Sequence, residues 1–79
     1  MPTAKLVPED VHGRVGARIK SIRQALGLSQ AALADRLEVS RPTVSNIENG
    51  KARILLSDCK DYAEALGTTP TNLLKGIWR

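Results

Sequence analysis

The chain has 79 residues, enough for one domain with a modest hydrophobic core. Aromatic residues make up only 3% of it, a composition that suits packed helices better than a β-sandwich. The single cysteine excludes an internal disulfide, and no apolar run is long enough for a membrane span or a signal peptide. We therefore expect an all-α protein in the cytoplasm.

The positive charge is concentrated in the first two thirds of the chain. Residues 1–53 hold nine Lys and Arg against five Asp and Glu, whereas residues 54–79 hold three of each. This imbalance accounts for the formal net charge of +4. A basic part beside a neutral part is typical of proteins that bind a polyanion, although an ordinary solvated surface has a similar balance.

The first predicted helix follows an irregular, proline-containing arm at residues 1–10. Apolar residues recur every three or four positions from residue 11 to residue 26, which indicates an amphipathic helix that Gly27 ends. Gly13 and Gly16 weaken its first turns. The apolar stripe consists of Val11, Val15, Ile19, Ile22 and Leu26.

Capping residues predict four more helices. Ser29 and Ser40 are placed to cap helices over 30–37 and 41–49, and Gly50 ends the second of these. A fourth helix covers about 56–66, with Cys59, Ala63 and Leu66 facing inward, and Thr69 caps a short fifth helix that buries Leu73 and Leu74. The predicted domain is 11–76, followed by a tail at 77–79.

Two short helices joined by a tight turn, over 30–49, match the demands of a helix-turn-helix. The motif needs a small residue where the two helices cross. It also needs an apolar residue that fills the space beneath the turn, and apolar residues on the inner face of the second helix. The residues at these core positions are Ala34, Val39, Val44 and Ile47.

The sequence resembles the phage-repressor and Cro-type helix-turn-helix family, often called XRE. The resemblance covers about residues 11–75 and rests on Gly27-Leu28-Ser29-Gln30, Leu33-Ala34, Val39-Ser40, Val44-Ser45, Ile47-Glu48-Asn49-Gly50, Ala63-Glu64-Ala65-Leu66-Gly67 and Leu73-Leu74. It implies a five-helix, lambda-repressor-like bundle whose third helix enters the major groove. It also implies a buried, structural ion pair between Arg23 and Glu48.

Two positions depart from the family pattern. Glu38 stands in the turn where the family often has glycine, so we expect a positive φ there, with a strain of about 1 kcal/mol. Ile54-Leu55 stands where the family often has Pro followed by a capping Ser or Thr. The start of the fourth helix is therefore less well defined by the sequence.

The helical wheel of the third helix places a polar face opposite Val44 and Ile47. Proteins with this motif present the amino-terminal residues of that helix to base edges. Arg can bind guanine and Asn can bind adenine through two hydrogen bonds each, while Pro and the Thr methyl can contact thymine. The candidates for base readout are Arg41, Pro42, Thr43, Ser45 and Asn46.

Phosphate contacts are predicted on both sides of this helix. The amino terminus of the second helix offers free N–H groups, and basic residues follow the third helix. Asn49 is a candidate for a phosphate contact or for capping its own helix. The predicted phosphate-binding residues are Ser29, Gln30, Asn49, Lys51 and Arg53.

These features predict a sequence-specific regulator of transcription that binds double-stranded DNA as a homodimer on a two-fold operator. Phage, restriction–modification and toxin–antitoxin contexts stay open, the last with a toxin partner. A protein-interaction domain that has lost DNA binding is a further alternative. The predicted dimer interface consists of apolar residues that one bundle would leave uncovered, namely Ile54, Leu55, Ile77 and Trp78.

An enzymatic role is not expected from this sequence. His12 has no constellation of Cys, Asp or Glu around it that indicates a metal site or a catalytic site. The glycines match no nucleotide-binding motif, and Cys59 has the spacing of a core residue. We expect no cofactor, no metal, no small-molecule ligand and no membrane contact.

Overall fold

A computed structural model describes residues 10–77, which form five helices and no strand. Every predicted boundary of the first four helices is correct to within one residue. Residues 1–9 of the predicted arm, and Trp78 and Arg79, lie outside the described residues. The helices are α1 (Asp10–Ala25), α2 (Gln30–Leu37), α3 (Arg41–Glu48), α4 (Leu56–Ala65) and α5 (Pro70–Leu74).

Side-chain caps define where most of these helices begin. The hydroxyl oxygens of Ser29, Ser40 and Thr69 each accept a hydrogen bond from the backbone N–H three residues ahead, as predicted. Leu55 precedes α4 and has no capping side chain. Instead, the Asp58 carboxylate accepts from the Leu55 N–H at 3.1 Å and supplies half of a capping box.

The turn between α2 and α3 contains a residue in the left-handed backbone conformation. Glu38 has φ 59°, which confirms the expected positive φ at a position where glycine is common. This conformation lets the N–H of Val39 donate to the Ala34 carbonyl at 3.0 Å. The closed end of α2 thereby sets the path of the chain into α3.

The core lies between α1, the two helices of the motif and the carboxy-terminal pair. Val15, Ile19, Leu33, Val44 and Leu73 are fully buried at its centre. Other predicted core positions are also buried, namely Val11, Ala34, Ile47, Cys59, Ala63 and Leu66. Tyr62, which the sequence analysis did not assign to the core, is buried as well.

Four apolar residues differ in exposure from what the sequence predicts. Val39 is 40% exposed and does not plug the motif, because it lies at the surface in the link between α2 and α3. Leu26 is 51% exposed, since α1 ends at Ala25 and the chain turns at Gly27. Ile54 and Ile77 are buried in the core of a single chain, so lack of cover cannot place them in a dimer interface.

A close crossing of α1 and α3 fixes the position of the motif. A Cβ at Gly16 would lie 2.9 Å from the carbonyl carbon of Ile47 and 3.2 Å from the Cα of Glu48. Only glycine therefore allows the two backbones to approach this closely. From the sequence Gly16 is predicted to weaken α1, whereas in the fold its lack of a side chain brings α3 against the core.

Arginines of α1 bind the carboxy-terminal part of the fold. Arg18 donates to the carbonyls of Asn72 and Lys75 at 2.7 and 2.9 Å. Arg14 donates to the carbonyl of Ile77 at 2.7 Å. These guanidinium groups complete the hydrogen bonding of carbonyls in and beyond a five-residue helix that is too short to be stable alone.

Candidate nucleic-acid interface

The amino-terminal half of α3 presents a polar surface. Val44 and Ile47 face the core, and the residues predicted for base readout lie on the other side of the helix. Among those, Ser45 is half-buried, whereas the exposed residues are Arg41, Pro42, Thr43 and Asn46. The predicted readout face is therefore accessible along one side of a helix whose other side is buried in the core.

Two hydroxyl groups on this face have partners within the chain. The Thr43 hydroxyl lies 2.8 Å from that of Ser40, and the Ser45 hydroxyl accepts from the Asn49 amide at 3.4 Å. Asn49 is the C-cap residue of α3, and its side-chain amide contacts a side chain of that same helix. The phosphate contact and the capping role that the sequence left open for Asn49 both stay predictions.

A buried ion pair anchors α3 to α1, as the family resemblance implied. The Glu48 carboxylate accepts two hydrogen bonds from Arg23, at 2.6 Å from Nε and at 3.0 Å from Nη2. The hydrogen bond to Glu48 raises the pKa of Arg23, and desolvation opposes the rise. Because Arg23 also donates to the Leu28 carbonyl at 2.7 Å, the pair ties the end of α1, the loop and α3 together.

Gln30 lies between this ion pair and the readout face. Its amide nitrogen donates to Glu48 at 3.0 Å, and its amide oxygen accepts from Arg41 at 3.2 Å. The sequence predicts a phosphate contact for Gln30 and gives no sign of its link to either residue. A glutamine at the start of α2 carries no local signal for partners in α3.

The other predicted phosphate ligands lie at the two ends of the motif. Ser29 is exposed at the amino terminus of α2, and its hydroxyl oxygen accepts from the Ala32 N–H. Lys51 and Arg53 are exposed in the loop that follows α3. The Lys51 N–H donates to the Asn46 carbonyl at 2.9 Å, so this loop starts directly against the end of α3.

An apolar cleft of about 240 Å³ lies away from the polar face. Its walls include Val15, Ile54 and Leu74, with Leu56 at the edge. Leu55 and Leu56 are 63% and 78% exposed, the highest values among the large apolar residues of the described chain. Leu55 is one of the residues predicted for the dimer interface, whereas Leu56 is not.

Three other titratable residues, His12, Cys59 and Tyr62, have surroundings within the fold. His12 accepts a hydrogen bond from the Ile54 N–H at Nδ1, 3.2 Å away. Burial raises the pKa of the Cys59 thiol and raises that of Tyr62 to about 12.

Within residues 10–77 no group of three or more His, Cys, Asp and Glu side chains could hold a metal ion. None of the helices in that range is long and apolar enough to cross a membrane.

Comparison with known proteins finds similar chains among helix-turn-helix controllers and repressors. The family model described as Helix-turn-helix matches residues 19–73. Control protein C.MunI from Mycoplasma sp is 32% identical over 69 residues, which are 86% of this chain and 93% of that protein. The crystal structure of the restriction-modification controller protein C.AhdI from Aeromonas hydrophila has a TM-score of 0.75 and 33% identity, covering 81% of this chain and 96% of that one. The DNA-binding domain of the P22 C2 repressor has a TM-score of 0.74 and 31% identity, covering 82% of this chain and 86% of that one.

Proposed function

Because this chain belongs to the helix-turn-helix family of DNA-binding transcriptional regulators, we propose that it recognises a specific operator through α3 and controls the genes of a restriction–modification system. Its similarity to C.MunI and C.AhdI favours that context among those that the sequence left open. Such a regulator acts by occupying DNA in the cytoplasm and needs no catalytic site.

The observation that carries the proposal is the fixed placement of an exposed polar helix face. A buried ion pair and a glycine-mediated crossing hold α3 on one side, and its other side is open. A rigid helix of this kind can enter the major groove without rearrangement, which keeps the entropy loss on binding small. We assign base readout to Arg41 and Asn46, since each can form two hydrogen bonds to one base.

The first experiment measures binding to duplex DNA as a function of salt. Binding sites selected from random DNA give the operator, and fluorescence anisotropy gives the affinities for the operator and for a scrambled duplex. A dimer that contacts about 6–10 phosphates should lose about a thousandfold or more in affinity between 50 and 200 mM salt. Absence of detectable binding at low salt to either duplex would contradict the proposal.

Three variants distinguish contacts to bases from contacts to phosphates. Arg41→Ala and Asn46→Ala should each weaken operator binding by about 1–3 kcal/mol and affect scrambled DNA less. Lys51→Ala should weaken binding to both duplexes about equally, because a phosphate contact is independent of sequence. Lys60→Ala removes the same charge from the exposed surface of α4 and serves as the matched control, with no expected change. If Arg41→Ala leaves the ratio of the two affinities unchanged, the readout assignment is wrong.

We further propose that the regulator acts as a homodimer. One recognition helix contacts only a few base pairs, and two-fold dimers read half-sites about 34 Å apart. The apolar surface formed by Leu55, Leu56 and the neighbouring cleft is the strongest candidate for the interface, because exposed apolar residues are concentrated there. The predicted contribution of Trp78 stays a prediction, since that residue lies outside the described chain.

Analytical ultracentrifugation tests the dimer and its location. The double variant Leu55→Ser/Leu56→Ser should sediment as a monomer at concentrations where the unmodified protein is a dimer. Leu26→Ser removes a leucine that is 51% exposed just after the end of α1 and should leave the dimer intact. If the unmodified protein is monomeric both free and on DNA, the dimer proposal is wrong. A double variant that remains dimeric would instead place the interface elsewhere.

A further inference from the structure

Trp78 is the single tryptophan of the sequence, and it directly follows Ile77, the last residue that the structure describes. Ile77 is buried, and its carbonyl accepts a hydrogen bond from Arg14 of α1 at 2.7 Å. Arg14 lies one position before Val15 and three positions after Val11, and both valines line the apolar cleft. Because consecutive Cα atoms are only about 3.8 Å apart, Trp78 is tethered next to the part of α1 that lines this cleft.

The cleft is suited to an apolar side chain and poorly suited to water. Among its described lining side chains, only the His12 imidazole and the Cys59 thiol are polar, and His12 Nδ1 already accepts from the Ile54 N–H at 3.2 Å. A bound water needs about two to four polar partners, which these walls do not offer. An apolar cavity of about 150 Å³ holds a benzene ring, so a cleft of about 240 Å³ has room for an indole ring.

A tryptophan of the same chain fits this cleft better than a side chain from a second molecule does. Leu74, which lines the cleft, lies only three residues before Ile77, so the chain passes the wall of the cleft just before Trp78. A tethered side chain enters without the loss of translational and rotational freedom that association between two molecules entails. Its large apolar ring would also cover Leu56, which is 78% exposed at the edge.

We propose that the indole ring of Trp78 occupies the apolar cleft of its own chain and joins α1, α4 and α5 there. The contact lies within one chain, which distinguishes it from the predicted role of Trp78 in the dimer interface. It is also independent of DNA binding, since the same chain supplies the cleft and its occupant. The surface proposed for the dimer, at Leu55 and Leu56, then lies beside the bound ring.

Fluorescence of the full chain tests the proposal, because Trp78 is the only tryptophan that can emit. We expect its emission maximum to be blue-shifted relative to free N-acetyltryptophanamide, and acrylamide to quench it several-fold less efficiently. Both values should stay constant on dilution to concentrations at which sedimentation shows a monomer. Emission like that of the free compound would overturn the proposal. A blue shift that disappears on dilution would also overturn it, because the indole would then be buried against a partner chain.

A cysteine in the wall of the cleft reports on the location of the ring. A thiol in contact with an indole quenches its fluorescence, and Cys59 lines the cleft. Cys59→Ala should therefore raise the emission intensity of Trp78 without changing its emission maximum. Ser57→Ala, on the exposed surface of α4, is the matched control and should change neither value. An unchanged intensity in Cys59→Ala would place the indole outside the cleft and overturn the proposal.

Nuclear magnetic resonance of the unmodified protein tests the same contact without any substitution. Nuclear Overhauser effects should connect the indole protons of Trp78 with the methyl groups of Val15 and Leu74. In a mixture of isotope-labelled and unlabelled protein, isotope-filtered spectra should show these effects within one chain only. Their absence, or their appearance between chains, would overturn the proposal whatever the DNA-binding experiments show.

Discussion

The close crossing of α1 and α3 can be tested by one substitution, because a methyl group added at Gly16 should force the two helices apart. In Gly16→Ala the new methyl would meet the backbone of Ile47 and Glu48, 2.9 Å from a carbonyl carbon and 3.2 Å from a Cα. Backbone atoms cannot move aside by changing rotamer, so α1 and α3 must shift apart. The readout face of α3 would move with them.

The expected loss follows from two opposing terms. Overpacking costs about 1–3 kcal/mol, and a clash with backbone belongs at the upper end of that range, about 3 kcal/mol. Replacing glycine by alanine inside a helix stabilises the folded state by about 1 kcal/mol. The free energy of unfolding should therefore fall by about 2 kcal/mol, which lowers the melting temperature of a domain this size by about 8–16 °C.

Gly13→Ala is the matched control in the same helix. A Cβ at Gly13 would meet only the Cα of Gly50, at an ordinary contact distance of 4.0 Å. This variant should gain about 1 kcal/mol and melt about 4–8 °C higher. Thermal melts followed by circular dichroism compare the two. If Gly16→Ala melts at or above the temperature of the unmodified protein, the close crossing is not a constraint and the reasoning fails.

Three further predictions concern stability. Glu48→Ala leaves the buried Arg23 unpaired and should lower the free energy of unfolding by about 3–5 kcal/mol in urea melts; a loss under about 1 kcal/mol would mean that water solvates the pair. Glu38→Gly relieves the left-handed backbone at φ 59° and should raise the melting temperature or leave it unchanged, so a clear decrease would contradict the strain argument. The buried hydroxyl of Tyr62 has no hydrogen-bond partner among the described residues, so Tyr62→Phe should be neutral or stabilising by about 1 kcal/mol. Because burial raises the pKa of Tyr62 to about 12, its neutral form is favoured in the folded state; stability should decline as pH rises from about 10 through 12, and less so in Tyr62→Phe.

The helices and their ends could be predicted because their signals are local. Ser29, Ser40 and Thr69 satisfy N–H groups only three residues away, so the position of each cap is visible in a short stretch of sequence. Glu38 is a similar case, since the turn that follows α2 demands a positive φ whichever residue stands there. The polar face of α3 follows from helical periodicity alone.

The features that the sequence analysis missed depend on contacts between distant parts of the chain. Gly16 looks like a helix-weakening residue unless the approach of Ile47 is known. Gln30 is one polar side chain among many until Glu48 and Arg41 are found on either side of it. Exposure of Val39 likewise depends on how far the neighbouring helices extend over the turn. Periodicity shows which face of a helix is apolar, but not what covers that face.

The arginine contacts between α1 and the carboxy-terminal part have a consequence for biosynthesis. The acceptors of Arg14 and Arg18 are carbonyls of Asn72, Lys75 and Ile77, which lie 54 to 63 residues further along the chain. A nascent chain that has left the ribosome only as far as α4 contains both guanidinium groups but none of these carbonyls. The bundle can therefore complete its folding only after translation has passed Ile77 and that residue has emerged from the exit tunnel, and until then the apolar stripe of α1 is only partly covered.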